Sequence, residues 1–598
     1  MFSGMTIRRL IAAWLLIMAV GLVIAYGVIP SADWLPAAGS QAGRGLLKKY
    51  NSISHLVFLI LLAISCGILY KSAQISRQSQ AHHPSQKTSN LTSFINGVKR
   101  HPIVTGLFAG YTVIMVRQAS WFYKEIIGWY EDILAGHLLD NFTLRWNFVK
   151  ETMFRNDFRF FPLSHQDLHI LSWFTPYVSI WMLINAVELF AIIIIGSQTV
   201  KLLTNKINRN ETLLIFSILF LFDAATGFTF FQFIYSERIV TLLLALFCFF
   251  YTRSFQFNQR SDHYLCLLVA LLGLFFKDTG FLLFTIPAFT VLAAGSAGFV
   301  EGKPKLKSDS MHQWCQAYDL ELWICGLIGV LAASYLFLSY LPSLYAGVDA
   351  YDSHLRWSRF EADLRFIVLL ITAAIRITLI AKRKLDFSAL DAFNTGGIAY
   401  AFGLFAMVGF RSSNYMALPV QFISTLNLVV LATWFSDWLQ NKNVKSGAIG
   451  IGAVIASGSW IGVEHLERRD FQQRISKMHD NQDSWVKTLD QMDKISQQAL
   501  LDGDEINIIY SKSWFRNRGH LERLKYNRLV YYDLDSGSYT VMDGTGKGQA
   551  YTPKRGDFLL NIDTGNRLND FGFDLSPYQK IWDYGEKKSN GKIYRRSQ

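Results

Sequence analysis

Apolar and polar positions in this chain alternate in long blocks, not with the short period of a soluble helix or strand. Apolar runs near residues 10–29, 53–70, 103–123, 171–196, 212–235, 239–252, 263–276, 280–298, 321–341, 366–381, 391–410, 417–437 and 446–463 are divided by polar connections. A helix needs about 20 apolar residues to cross roughly 30 Å of hydrocarbon, so the pattern predicts an α-helical polytopic membrane protein with roughly thirteen transmembrane helices. Every second connection is basic: Arg8/Arg9, the segment 71–102, Lys201/Lys206/Arg209, Arg253/Arg260, Lys303/Lys305/Lys307, Lys382/Arg383/Lys384 and Lys442/Lys445. Because Lys and Arg are retained on the inner side, this register places the N-terminus in the cytoplasm and everything after about residue 464 outside. The first run follows Arg8 and Arg9 as a signal peptide would. Its apolar length and the lack of a small-residue cleavage site favour a retained span.

The pattern changes character twice. The inner segment KSAQISRQSQAHHPSQKTSNLTSFINGVKRHP, residues 71–102, is polar and reads as a flexible linker or a surface helix, with His82 and His83 solvated. From Glu464 to about Leu501 the pattern is a charged helix that ends at a turn-like Asp-Gly-Asp. Short runs of β type follow, INIIYS, RLVYYDL, YTVMD, DFLLNID and KIWDYG, separated by Gly, Asn and Asp. The expected organisation is an N-terminal two-span addition with its cytoplasmic linker (1–102), a transmembrane body (103–463) and a small extracytoplasmic α+β domain (464–598). No internal repeat is evident.

Composition agrees with the bilayer reading: of 598 residues, 51% are hydrophobic and only 17% charged, where soluble chains carry about a quarter charged. The net charge of +13 would raise nucleic-acid binding in a soluble chain. Here the excess sits in inner connections that topology already requires to be basic, so no nucleic-acid partner is expected. Cys66, Cys248, Cys266, Cys315 and Cys325 form neither a disulfide framework nor a metal-type spacing.

Ionisable groups are concentrated in one outer segment, residues 121–170. If 121–140 is a helix at the membrane interface, Phe122, Ile126, Trp129, Tyr130 and Ile133 form its apolar side. Glu125, Asp132, Gly128 and Gly136 lie along another side, so Asp132 has a glycine four residues away in each direction and room for a ligand to approach. The ordinary alternative is that Glu131 and Asp132 are the wet face of that helix and the Trp and Tyr residues an aromatic belt.

The sequence WYEDILAGHLLDNFTLRWNF followed by FRFFPLSHQDLHIL resembles the first outer loop of the GT-C superfamily of membrane glycosyltransferases. Glu131 and Asp132 fall on its acidic pair, Ala135, Leu139, Leu144 and Asn147 on the pattern that follows, and Pro162 and Leu163 on the re-entry into the next span. In the same order, YSERIVTLLLALFCFFYTR is similar to a short outer turn with an acid, here Glu237 flanked by Ser236 and Arg238. FFKDTGFLLF is similar to an Arg-Pro-Glu-Gly turn, with Lys277, Asp278 and Gly280, although the Pro is gone and Thr279 replaces the acid. FRSSNYMALP is similar to an Arg-Tyr-x-x-x-Pro element, with Arg411, Tyr415 and Pro419 but three residues between Arg and Tyr. The resemblance covers about residues 100–465 and leaves the first two spans and the tail outside it.

The resemblance implies sugar transfer from a polyprenyl-phosphate-linked donor to a cell-envelope glycan or lipid on the outer face of a bacterial inner membrane. It gives Asp132, with Glu131 beside it, the role of general base in an inverting displacement. The departing lipid phosphate needs cations, for which Arg411, Lys277, Arg238 and, in the 342–365 loop, Arg356 and Arg359 are available. His165, Asp167, Glu237, Tyr415 and Trp357 are candidates for contact with the acceptor or the sugar. Some members of the superfamily use a divalent cation, so whether His165 and Asp167 join Asp132 around a metal stays open. A transporter or flippase of lipid-linked glycan is the competing class, resting on Glu188, Asp223 and Arg376 inside predicted spans. A glycan polymerase or ligase would share the lipid-linked donor.

Overall fold

The computed structural model describes residues 4–80, 99–118, 149, 152–175, 177–205, 211–306, 311–347, 360–442, 444–466, 471–511, 521, 524–534, 536–562, 568, 573–585 and 591–598. In chain order the helices are α1 (Gly4–Val23), α2 (Gln41–Gln80), α3 (Pro102–Arg117), α4 (Gln166–Ser172), α5 (Val178–Leu203), α6 (Glu211–Leu221), α7 (Ala224–Phe230), α8 (Glu237–Phe257), α9 (Arg260–Gly273) and α10 (Gly280–Ser296). They continue with α11 (Met311–Ala317), α12 (Asp319–Tyr335), α13 (Leu341–Ala346), α14 (Leu364–Ala381), α15 (Ala389–Val408), α16 (Leu418–Asn441), α17 (Ser446–Leu466) and α18 (Phe471–Leu501). Helices suit such apolar runs because each backbone N–H and C=O is satisfied within the segment, where no water can serve it.

Among the described residues, eight helical segments are long and apolar enough to cross a membrane, or nine if the bent pair α6–α7 counts as one span. This is fewer than the roughly thirteen expected from the apolar runs. The difference has a structural cause. Each remaining run does form a helix, but α3, α9 and α10 have only 16, 14 and 17 residues. In α15, Asp391, Asn394, Gly396 and Gly397 dilute the apolar content, and all four are turned inward. Of these, α9 and α15 are largely enclosed by neighbouring helices, whereas α3 buries only Val104, Tyr111 and Met115. The α6–α7 pair bends by 72° at Asp223, whose carboxylate accepts from the backbone N–H groups of Ala225 and Thr226 and so caps α7. The polar segment expected at 71–102 continues α2 as helix as far as Gln80; residues 81–98 lie outside the described ones.

The tail is built on α18 and a six-stranded sheet, β3 (Asn507–Ser511), β4 (Arg528–Tyr532), β5 (Tyr539–Gly544), β6 (Phe558–Asn561), β7 (Tyr578–Asp583) and β8 (Lys592–Arg596), in the order β5-β4-β3-β6-β8-β7. β1 (Phe360–Glu361) and β2 (Phe410–Arg411) form a separate short parallel pair at the end of the membrane body. Central β3 runs parallel to β4 and β6, with Ile508 opposite Leu529 and Phe558. Alternation sends Ile508, Leu529, Phe558, Leu560 and Ile593 to one face and Ile509, Val530, Val541, Leu559 and Tyr594 to the other. The five runs read as β type become β3 to β7; KIYRR, which supplies β8, was not among them.

The first of these faces does not close on tail residues alone. Its buried cluster contains Trp485, Leu489 and Met492 of α18 and also Leu168, Trp181, Met182, Phe233, Ile234 and Tyr235 of the membrane body. Close approach is helped by Gly227 on α7, where an added Cβ would lie 2.6 Å from the Phe471 ring. Trp485 is fully buried at the centre of this shared cluster. Replacing Trp485 by Ala is expected to cost roughly 3–5 kcal/mol, read by denaturation of the detergent-solubilised protein; a loss below about 1 kcal/mol would contradict a shared core.

Candidate functional site

The ends of several helices converge on one cavity of about 300 Å³ beside the tail domain. It is lined by Arg155, Arg159, His165, Tyr235, Glu237, Lys277, Asp278, Thr279 and Tyr415, and on another side by Leu404, Met407 and Val408. Glu237 opens α8, Lys277–Thr279 precede α10, and Tyr415 lies just before α16, so three helix N-termini bring their positive partial charge to this rim. Met407 and Val408 are more than two-fifths exposed, giving the cavity one apolar flank open to the surroundings of the bundle.

Each cation of the cavity has a carboxylate partner. Lys277 Nζ lies 2.6 Å from Glu237 Oε1, which is almost completely buried. Arg159 donates from Nε to Asp278 Oδ2 at 2.9 Å, and Asp278 Oδ1 accepts from the Phe160 N–H at 2.8 Å. Arg155 pairs with Asp157 at 2.5 Å. Both arginines also lie over the Phe161 ring, at 5.7 and 4.5 Å from its centroid. About a quarter of each arginine side chain remains exposed, so both can still meet a ligand. Tyr235 and Tyr415 stack with centroids 3.9 Å apart and planes within 18°, and Lys277 Nζ lies 6.0 Å from the Tyr415 centroid.

His165, Glu237, Lys277 and Tyr415 are thus brought together from among the residues singled out in the sequence. Arg238 and Asp167 lie elsewhere. The Arg238 guanidinium is buried, donating to Glu188, to Asp167 at 2.7 Å and to the Phe233 carbonyl. Its charge is taken up by that network and does not open on the cavity. Arg411 stands in β2 at 3.6 Å from Glu361 of β1, beside a second and smaller cavity lined by Asp223, Glu361, Asp363 and Glu464. Glu131, Asp132, Arg356, Trp357 and Arg359 lie outside the described residues.

Arg155 and Arg159 were not singled out from the sequence. Their signal was present in MFRNDFRFFP, because two arginines in a connection that the alternation of basic loops assigns to the outer side run against the retention of basic residues inside. Asp278 was noted only as part of a motif, and it is the group that orients Arg159. Among the described residues no group of three His, Cys, Asp or Glu side chains is placed to hold a metal ion. Asp167 Oδ2 accepts from Arg238 at 2.7 Å, and Asp132, the third residue of the metal reading, lies outside the described residues.

The charges that would mark a transport path are each paired: Glu188 with Arg238, Asp223 with Arg365 at 3.4 Å, and Arg376 with Asp391 at 2.5 Å. Arg365 is fully buried and also donates to both carboxylate oxygens of Glu464. Fold and site together define a polytopic helical membrane protein with a charged cavity at one end of its helix bundle. Comparison with protein families, with curated proteins and with solved structures yields no match to this chain.

His165 adopts a left-handed backbone conformation, φ 62°, at the start of α4, and burial lowers its imidazole pKa to about 4. The unfolded chain takes up this proton near the ordinary value of 6.5 and the folded one only near 4. Between those values the unfolded state holds more protons, so stability rises with pH across the window. The thermal midpoint is expected to fall on acidification from pH 6.5 to pH 4, and to fall less steeply in His165→Asn, which keeps a residue tolerant of positive φ. Equal slopes in the two proteins would contradict this. A second expectation concerns Arg238. Arg238→Met should cost roughly 3–5 kcal/mol in chemical denaturation, because Glu188 and Asp167 are left without their buried counter-charge; a neutral substitution would show the network to be dispensable.

Proposed function

We propose that the protein is a membrane glycosyltransferase that moves a sugar from a polyprenyl-phosphate-linked donor to an envelope glycan or lipid acceptor. One observation carries this reading: a cavity bordered by Arg155, Arg159 and Lys277 on one side and by the exposed apolar Met407 and Val408 on another. A ligand that is anionic at its head and hydrocarbon at its tail satisfies both walls. Guanidinium groups match phosphate oxygens in pairs, and the converging helix N-termini add to the same field. The Tyr235–Tyr415 stack offers an aromatic wall to a sugar ring, and Glu237 and Asp278 can accept from its hydroxyls once Lys277 and Arg159 turn to phosphate.

In the proposed reaction the acceptor hydroxyl oxygen attacks the anomeric carbon from the face opposite the lipid phosphate. The new C–O bond forms as the bond to the phosphate oxygen breaks, inverting the configuration. The hydroxyl proton passes to Asp132, and the charge left on the lipid phosphate is met by Arg155, Arg159 and Lys277. Transfer of one sugar and transfer of an oligosaccharide place the same demands on these groups. The reading carries an orientation with it: a bacterial inner membrane, the N-terminus in the cytoplasm and the tail domain on the periplasmic side.

In nanodiscs with a polyprenyl-phosphate sugar, Asp132→Asn should lower turnover by about 10²–10⁴ while leaving lipid-phosphate binding intact. Arg159→Ala should instead weaken binding of the lipid phosphate by about tenfold, the scale of one charge-assisted contact. An Asp132→Asn protein that turns over at the full rate, or an Arg159→Ala protein with unchanged lipid affinity, would overturn the assignment.

A further inference from the structure

The tail domain contributes to the cavity in a way that neither the motifs nor the proposed chemistry requires. Helix α18 packs behind the aromatic residues of the cavity without lining it, and its first three turns meet the membrane body. Phe471 packs edge-on against Phe222 and Phe231. Arg474 donates from Nη2 to Ser413 Oγ and holds its guanidinium over the Phe228 ring at 5.5 Å. His479 Nε2 lies 2.7 Å from the carbonyl oxygen of Gln118, the residue that ends α3. A carbonyl only accepts, so Nε2 carries a proton in this contact.

These ties fall on segments that build the site. Ser413 stands two residues before Tyr415 in the turn joining β2 to α16, and Tyr415 stacks on Tyr235 inside the cavity. Tyr235 is at the same time a member of the buried cluster formed with Trp485, Leu489 and Met492 of α18, and Tyr415 packs against that cluster. Phe228, under the Arg474 guanidinium, contacts both tyrosines, at 5.5 Å to each ring centroid. The aromatic wall therefore has the cavity before it and the tail domain behind it.

We propose that α18 is the rear wall of the site and that Arg474 is a positioning residue, setting Tyr415 against Tyr235 and beneath Lys277 by way of Ser413. His479 fixes the same helix to the end of α3. The inference rests on the functional reading only in naming lipid phosphate as the ligand; the brace itself is a property of the fold. Arg474 lies at the partly exposed start of α18, so its removal leaves the Trp485 cluster intact.

The test compares full-length wild type, Arg474→Ala, Ser413→Ala, the double variant and Arg474→Lys in nanodiscs. Undecaprenyl monophosphate affinity is measured by titration, and hydrogen exchange is followed over residues 409–417. Each single alanine should weaken lipid-phosphate binding by about fivefold and speed exchange in that turn to a similar degree, the scale of one lost hydrogen bond. The double variant should be no worse than Arg474→Ala alone, since Ser413 acts through its one contact with Arg474 while Arg474 also rests on Phe228, and Arg474→Lys should restore part of both readouts with an unchanged thermal midpoint. Unchanged exchange and unchanged affinity in the alanine variants would overturn the brace. Additive losses in the double variant would likewise refute coupling through Ser413. If exchange rises while wild type itself fails to bind undecaprenyl monophosphate, the brace stands and the lipid-phosphate reading falls.

Discussion

A charge cannot remain unpaired in hydrocarbon, and this constraint arranges the membrane body. Arg238 with Glu188 and Asp167 and Arg365 with Glu464 and Asp223 neutralise one another between elements far apart in sequence, and Arg376 with Asp391 between the consecutive helices α14 and α15. Such pairs add little net stability over a hydrophobic replacement, but losing one partner is costly, so they fix which helices lie side by side. With those charges absorbed, the partly exposed cations Arg155, Arg159 and Lys277 face a common space with the carboxylates of Glu237 and Asp278. The site is what remains ionic and accessible after the interior has balanced its own charge.

That space sits where helices end. N-termini of α8, α10 and α16 bring unsatisfied N–H groups and positive partial charge to one rim, and the last turn of α15 brings Met407 and Val408 to the other. Head-group chemistry and lipid solubility meet across a few side chains, which is the requirement of a ligand that cannot leave the bilayer. The tail domain backs the aromatic wall, since its core is completed by Trp181, Phe233, Ile234 and Tyr235 from the membrane body.

Much of this was legible in the sequence, for reasons that differ by residue. Long apolar runs specify helices, and charged or aromatic residues at their ends, such as Glu237, Lys277, His165 and Tyr415, stand out against them. Span number was less legible, because short helices such as α9 and the polar face of α15 depend on enclosure by neighbours. The pairing of Arg238 was not legible at all: its partners Glu188 and Asp167 are 50 and 71 residues away, and only the fold brings them together. Arg155 and Arg159 were hidden among aromatic neighbours that include Phe161, on whose ring both arginines rest. The tail shows the opposite limit. Its strands alternated clearly, yet nothing in the alternation indicated that one sheet face would be finished by another part of the chain.

On the proposed function, the cavity between Arg155, Arg159, Lys277 and the Tyr235–Tyr415 stack receives a lipid-borne phosphate. This is tested most directly by an electron-microscopy structure of the nanodisc-embedded protein with a non-hydrolysable polyprenyl-phosphate sugar. Phosphate density is expected within hydrogen-bonding reach of Arg155, Arg159 and Lys277, with the lipid chain leaving past Met407 and Val408. Phosphate density at the opposite end of the bundle, with this cavity empty, would contradict it.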